Sequence, residues 1–303
     1  SGGYDTGQAV NFRGADLSGA KLAGAVASKA DFSDAKLTGA NMEKADLRGA
    51  MLEGADLSNA EIVGANLGGA NLKSAILTGI AVKDIVGENV DLSGAITDDN
   101  IGSSISELGE PLPTLIEKHR TWVETAGEKG DQLDLSAMDL RELGSLKGEV
   151  LTAIRAIDSK FLGMNLYKIQ LQSALLDQSD FRNCDLEEAD LRGSSFNEAN
   201  FSHAKMRGIQ ANPLMFGSGG AGKRFSPCDF SFAKMRYADL SGAQLKSANF
   251  SGADLSYANL SGADLRDADL RDANMTGAVL DEAQTEGAMI PKPDRPVFKI
   301  PRD

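Results

Sequence analysis

The chain has 303 residues, 42% apolar and 25% charged, with 44 acidic against 31 basic side chains and a formal net charge of −13. That balance argues against a face built to hold a phosphate backbone, which must be basic. No run approaches the roughly 18 apolar residues of a membrane span and no secretory apolar segment opens the chain, while two cysteines, Cys184 and Cys228, are too few for a disulfide framework. The expectation is a cytoplasmic protein with no direct nucleic-acid or membrane partner.

From Ala15 the chain runs ADLSG, AKLAG, AVASK, ADFSD, AKLTG and on, thirteen five-residue units that each begin with Ala, ending at Ala75. An apolar residue stands two places after each Ala. The same frame returns in ten units from Ala233 to Ala278. A period of five fits neither a helix of 3.6 residues per turn nor an extended alternating strand. Ala-x-Leu does fit a very short strand, because residues two apart point to the same side. The two residues that follow, rich in Gly, Ser, Asp and Asn, then turn a corner. Four such sides close a coil in twenty residues, and coils stack at the strand spacing of about 4.8 Å.

This pattern resembles the pentapeptide-repeat family, whose consensus is A-(D/N)-L-x-x. The resemblance implies an all-β fold, a right-handed quadrilateral β-helix. The reading divides the chain into an N-terminal β-helical lobe at 8–97, a helical hinge or cap at 98–130, a C-terminal lobe at 131–285 with an inserted loop at 211–227, and a Pro-rich basic tail at 286–303.

In chain order, the first interruption comes at 98–130. Pro111 and Pro113 precede LIEKHRTWVETAG, which reads as a helix with Leu115, Ile116, Trp122 and Val123 on its apolar side, ending near Gly127. A β-helix exposes an unpaired apolar edge at each end, so a cap or hinge is the simplest role. His119 and Trp122 lie here as packing residues or, alternatively, as a ligand site. Beyond, Leu135 and Leu140 are five apart, one extra residue shifts the frame to Leu146, and centres then recur every five residues to Met206. Residues 146–158 fit either a continued β-helix, which the shared frame favours, or an amphipathic helix.

The second interruption is ANPLMFGSGGAGKRFSP at 211–227, after which the frame re-enters out of step, with Met206 and Phe230 24 apart. It is either a disordered insertion or a partner-binding finger, since solenoids commonly carry specificity on inserted loops. The candidate partner-binding residues are Leu214, Met215, Phe216, Lys223 and Arg224 on the loop, with Tyr237 and Tyr257, which stand twenty apart on one outer face. The tail, with Pro291, Pro293, Pro296 and Pro301, reads as an extended segment and not another coil.

Catalytic and cofactor motifs fail on inspection. Gly217 to Lys223 has P-loop spacing, but Arg224 stands where a Ser or Thr hydroxyl would bind magnesium, and strand-then-helix context is missing. Cys184 and Cys228 occupy the small Ala position and are read as inert. His203 has no second ligand at metal spacing. The many Asp residues fill the consensus D/N position. No catalytic, cofactor or metal site is assigned, and the chain is read as a non-enzymatic interaction scaffold that offers solenoid faces and an inserted loop to a protein partner. An uncapped β-helix end leaves a homodimer open. The alternative comes from the family resemblance, which implies an acidic rod that mimics DNA and binds gyrase or another topoisomerase.

Overall fold

The structure is a computed structural model that describes residues 9–217 and 224–291. It falls into two compact units, Ser1–Ile101 and Gly102–Asp303.

In the first unit, single-residue parallel bridges recur every five residues, each joining residue i to i+20: Asn11 to Asp31, Asp16 to Lys36, Lys21 to Asn41 and Val26 to Asp46. Four bridged positions therefore make one coil. The ladder runs in both directions at each position, as in Leu17 N–H to the Lys36 carbonyl (2.7 Å) and Lys36 N–H to the Ala15 carbonyl (2.8 Å). Corners are closed by a bond from the next Ala N–H to the preceding centre's carbonyl, such as Ala15 to Phe12 at 3.0 Å. The second corner residue sits in the left-handed region, with φ +68 at Gly24 and +60 at Lys29. This explains the Gly, Asn and Asp enrichment there.

The Asp or Asn before each centre has a local task. Its carboxylate or amide oxygen accepts the N–H of the first corner residue, as in Asp31 to Ser33 (2.9 Å) and Asn41 to Glu43 (3.0 Å). Where that corner residue is Arg, the guanidinium also folds back onto the same carboxylate. Asp46–Arg48, Asp139–Arg141, Asp180–Arg182, Asp190–Arg192, Asp264–Arg266 and Asp269–Arg271 all pair this way, at 2.6–2.8 Å. Hydrogen bonds from the Arg48 side chain and backbone hold Asp46 down at a pKa of about 2.

Centres and Ala companions form the core. Leu37, Met42, Leu52 and Ala40 are wholly buried in the first unit. In the second unit, Phe161, Phe181 and Phe201 stack coil upon coil at 4.5 and 4.8 Å, and Phe196, Phe230 and Phe250 form a parallel stack at 5.3 and 5.1 Å. Burying each ring contributes roughly 1.5–3 kcal/mol.

The second unit opens with β1 (Ser103–Ser104), which pairs in parallel with β2 (Met138–Asp139). Between them lies α1 (Leu112–Glu124). The helix starts three residues earlier than its sequence pattern suggested, with Pro113 in its first turn, where a missing N–H costs nothing. Its apolar side also differs: Leu112, Leu115 and Ile116 pack against the core of the second unit, whereas Val123 is exposed.

His119, 1% exposed, joins α1 to the coil. Its Nδ1 accepts the Leu133 N–H at 2.9 Å, so Nε2 carries the proton and donates to the Thr152 carbonyl at 2.8 Å. Both ring nitrogens are thus used in packing, which decides against the ligand reading. Burial lowers the His119 pKa, with the Thr152 carbonyl opposing. The unfolded imidazole gains its proton near pH 6.5, and the folded one only at lower pH. The stabilisation is therefore complete above about pH 6.5 and is lost as pH falls from there towards the folded pKa. Thermal melts between pH 7.5 and 5 should show a larger loss of stability in the wild type than in His119→Ala; equal losses would contradict the lowered pKa of the folded imidazole.

Residues 146–158 are coil and not helix, bridging Val150 to Gln170 and Arg155 to Leu175. The extra residue before Leu146 is absorbed by a 3₁₀ turn at Arg141–Leu143, and bridges on either side change from 21 to 20 residues apart. The ladder also runs further than expected at the C-terminal end. Gln284 and Met289 bridge to Asp264 and Asp269, so residues 286–289 belong to a coil instead of a tail. Of the rest of that tail, residues 292–303 lie outside the described residues.

Candidate partner-binding site

The loop at 211–227 leaves and re-enters without breaking the ladder. Ala211 is a buried centre, and Ser195, Asn200, Lys205 and Gln210 bridge to Asp229, Lys234, Asp239 and Gln244. These pairs are 34 residues apart where 20 is the rule, a surplus of 14. The insertion therefore replaces nothing: it is a 14-residue excursion at one corner, and the apparent slip of frame exists only in the linear sequence.

The excursion is structured on both sides of the undescribed residues 218–223. β3 (Leu214–Phe216) pairs antiparallel with β4 (Arg224–Ser226), with Leu214 opposite Ser226, Met215 opposite Phe225 and Phe216 opposite Arg224. Alternation puts Met215 and Phe225 on one face and Leu214 and Phe216 on the other. Leu214 lies on Gly193 so closely that a Cβ there would meet its Cδ1 at 2.9 Å. That contact turns the Met215–Phe225 face away from the coil, where the two are 59% and 55% exposed. Phe216 is 47% exposed, and Arg224 is also at the surface. Lys223 lies outside the described residues.

Tyr237 and Tyr257 stand two corners further along the chain. They stack at 5.0 Å, and His203 stacks beneath Tyr237 at 5.0 Å, giving one column of three rings. Tyr257 lies over Gly277, where a Cβ would meet its ring at 2.5 Å. The faces of these rings are thus occupied by one another and by a glycine floor, which stiffens the corner. The ladder places them on a different corner from the ribbon.

Sequence reading passed over two exposed aromatics, one on the ribbon and one at the next corner. Phe225 is the cross-strand partner of Met215, a pairing that only the ribbon register reveals. Phe232, 60% exposed, occupies the first corner after the ribbon and lies across Gly252. Its signal was legible, since FSFAK puts a large apolar residue at a corner position where turn formers are the rule.

The side that leads to the ribbon is rich in amides. Gln170, Asp190, Gln210 and Gln244 bridge in sequence up this side, and an open groove of about 530 Å³ lies along it beside Gln172 and Arg192. Gln172 donates to Asp190 at 2.8 Å. Burial would raise the Asp190 pKa, but hydrogen bonds from the Arg192 side chain and backbone and from Gln172 hold it low.

Among the described residues no group of three His, Cys, Asp or Glu side chains could hold a metal ion, and no helix is long and apolar enough to cross a membrane. Cys184 and Cys228 are fully buried and their thiol pKa values are driven up by desolvation, so neither is poised as a nucleophile.

The sequence profile described as Pentapeptide repeats matches residues 8–43, 40–79, 169–209, 224–260 and 258–288, more than half of the chain. No curated protein sequence matches it. Among solved structures, the chain is similar to HetL, a pentapeptide repeat protein involved in heterocyst differentiation regulation from the cyanobacterium Nostoc sp. strain PCC 7120. The identity is 25% and the TM-score 0.26, over 93% of this chain and 90% of HetL. It is also similar to QnrB1, a plasmid-mediated fluoroquinolone resistance protein, at 18% identity and TM-score 0.24 over 52% of this chain and 72% of QnrB1. A third is Rfr23 from the cyanobacterium Cyanothece 51142, at 20% identity and TM-score 0.19 over 48% of this chain and 95% of Rfr23.

Proposed function

The chain belongs to the pentapeptide-repeat family, and we propose that it is a non-enzymatic scaffold whose β3–β4 ribbon docks a protein partner. One observation carries this reading: a paired ribbon rises from an uninterrupted ladder and turns Met215 and Phe225 away from the coil. Rigid coils below and above the ribbon hold it without a flexible linker, so docking there costs little ordering entropy. Solvent-exposed aromatic and Met side chains on such a support are the composition of interface anchors.

The insertion supplies its own control. Removing residues 214–227 together with Pro213→Gly joins Asn212 through one glycine to Cys228, restores a five-residue step from Ala211 to Phe230, and puts at the second corner position a residue that accepts the positive φ seen there at Gly193 and Ser247. This deletion is expected to fold with a melting temperature near that of the wild type, and a large loss of stability would show that the ribbon supports the coil. Capture from lysate with wild type and deletion in parallel then tests the function. A partner retained by the wild type and lost with the ribbon is the expected result, and identical captures remove the ribbon from the site.

The gyrase-binding acidic rod finds less support. Six of the carboxylates at the repeat position are each bound by the Arg two residues on, so the outer faces do not present a continuous run of anions. Protection or inhibition of gyrase supercoiling at low micromolar protein would restore that reading.

A further inference from the structure

The scaffold reading leaves the partner's chemistry open, and the charges around the ribbon bear on it. Three exposed cations flank the ribbon: Arg207, at the corner before it; Arg224, on β4; and Lys246, in the coil above, whose N–H donates to Asn212 at 3.2 Å where the ribbon leaves the coil. None has a carboxylate within ion-pair distance among the described residues. Arg192, in the coil below at the same corner, and Arg266, in the coil above Lys246, present 38% and 44% of their side chains to solvent. The Asp190 and Asp264 carboxylates behind them are only 14% and 7% exposed. Solvent at this corner therefore meets guanidinium groups more than the anions that hold them. In the groove, Glu188 is likewise held, by Lys168 at 3.2 Å. The outward acids nearby are Glu187, in the coil below Arg207, and Asp267 and Glu286, both acting on Arg266. Five cations against three outward acids make this face locally cation-rich in a chain with a net charge of −13.

We propose that this face binds an acidic, extended segment of a partner protein. The inference rests on the ribbon being the docking element and adds what it docks. Three features fit one occupant. β3 and β4 form a two-stranded sheet, so each has an outer edge to which an extended strand can add by main-chain hydrogen bonds. Gln170, Gln210 and Gln244 along the adjoining side offer both donors and acceptors to a peptide backbone. Met215 and Phe225 receive apolar side chains, while Arg207, Arg224 and Lys246 receive carboxylates, so the favoured segment alternates acidic and apolar residues. Placing cations at the rim of apolar anchors favours the oppositely charged partner and rejects basic ones.

The test is selection of phage-displayed random dodecapeptides on the intact protein, on the 214–227 deletion, and on the triple variant Arg207→Glu, Arg224→Glu, Lys246→Glu. All three substituted positions are surface positions, and unchanged melting temperatures verify folding. The wild type is expected to enrich acidic–apolar peptides, and the triple variant to bind them about tenfold or more weakly and to enrich basic ones instead. Binding of the selected peptides should weaken as salt is raised. The proposal is overturned if the enriched peptides carry no acidic bias, if the triple variant binds them as the wild type does, if a dT12 oligonucleotide competes as well as the peptides, or if no enrichment depends on the ribbon. A lysate partner lost with the ribbon but indifferent to the triple variant would leave the scaffold standing and sink only the acidic partner.

Discussion

Leu255→Lys is expected to abolish cooperative folding of the C-terminal coil, seen as loss of its thermal transition and rapid proteolysis at coil corners. Leu255 is 0% exposed and sits at the centre position between those of Met235 and Met275, one coil below and one above. Its Ala companions at 253 and 258 are buried to within 1%. Leu255 lies within a cluster of buried apolar side chains, so an ammonium there is either charged and desolvated or neutral at a cost, and either state costs several kcal/mol. That is comparable with the whole stability of a domain, about 5–15 kcal/mol. Because each coil contacts only its neighbours, the damage spreads along the stack instead of remaining at one site. Leu255→Met, which conserves volume and polarity, is the control and should melt within a few degrees of the wild type. A lysine variant with wild-type melting temperature would overturn the inward register.

Phe201→Ala is expected to cost about 3–5 kcal/mol, measured as a lowered urea midpoint with unchanged slope. Phe201 joins the two ring stacks: it is stacked with Phe181 at 4.8 Å and edge-on to Phe196 and Phe230 at 5.3 and 5.8 Å. Truncation removes a fully buried ring and also its contacts with three others, each worth about 0.5–1.5 kcal/mol beyond area. Backbone ladders above and below prevent the coil from collapsing into the void, so little of the loss can be recovered by relaxation. Phe201→Leu should regain much of it. A cost below about 1 kcal/mol for Phe201→Ala would mean that the coils reclose around the cavity, contrary to the rigidity attributed to the ladder.

The same rigidity explains how a 14-residue excursion is tolerated. The coil closes on either side through bonds that span the insertion, such as Phe196 N–H to the Asp229 carbonyl at 2.7 Å and Ala211 N–H to the Gln244 carbonyl at 2.8 Å. Neither depends on what the ribbon does. A corner is also the only place where a coil can be interrupted without losing a bridged position, since the sides carry the ladder.

Sequence alone determined the repeating architecture, because a five-residue period with Ala and a large apolar residue two apart has one simple packing solution. Those two positions point inward, the two after them must turn, and the Asp or Asn between them caps the turn. It also located α1 and the interruption at 211–227, where the frame visibly lapses. What it could not determine were contacts between residues whose spacing no period records. The continuity of the ladder across the insertion, the facing of Met215 with Phe225, and the seating of Leu214 on Gly193 depend on chain segments meeting after excursions of arbitrary length. His119 shows the same divide: a lone histidine on a helix carries no sign of its fate until the Leu133 N–H and the Thr152 carbonyl, 14 and 33 residues on, close around it. Local periodicity specifies what repeats, and tertiary structure decides wherever the repeat is broken.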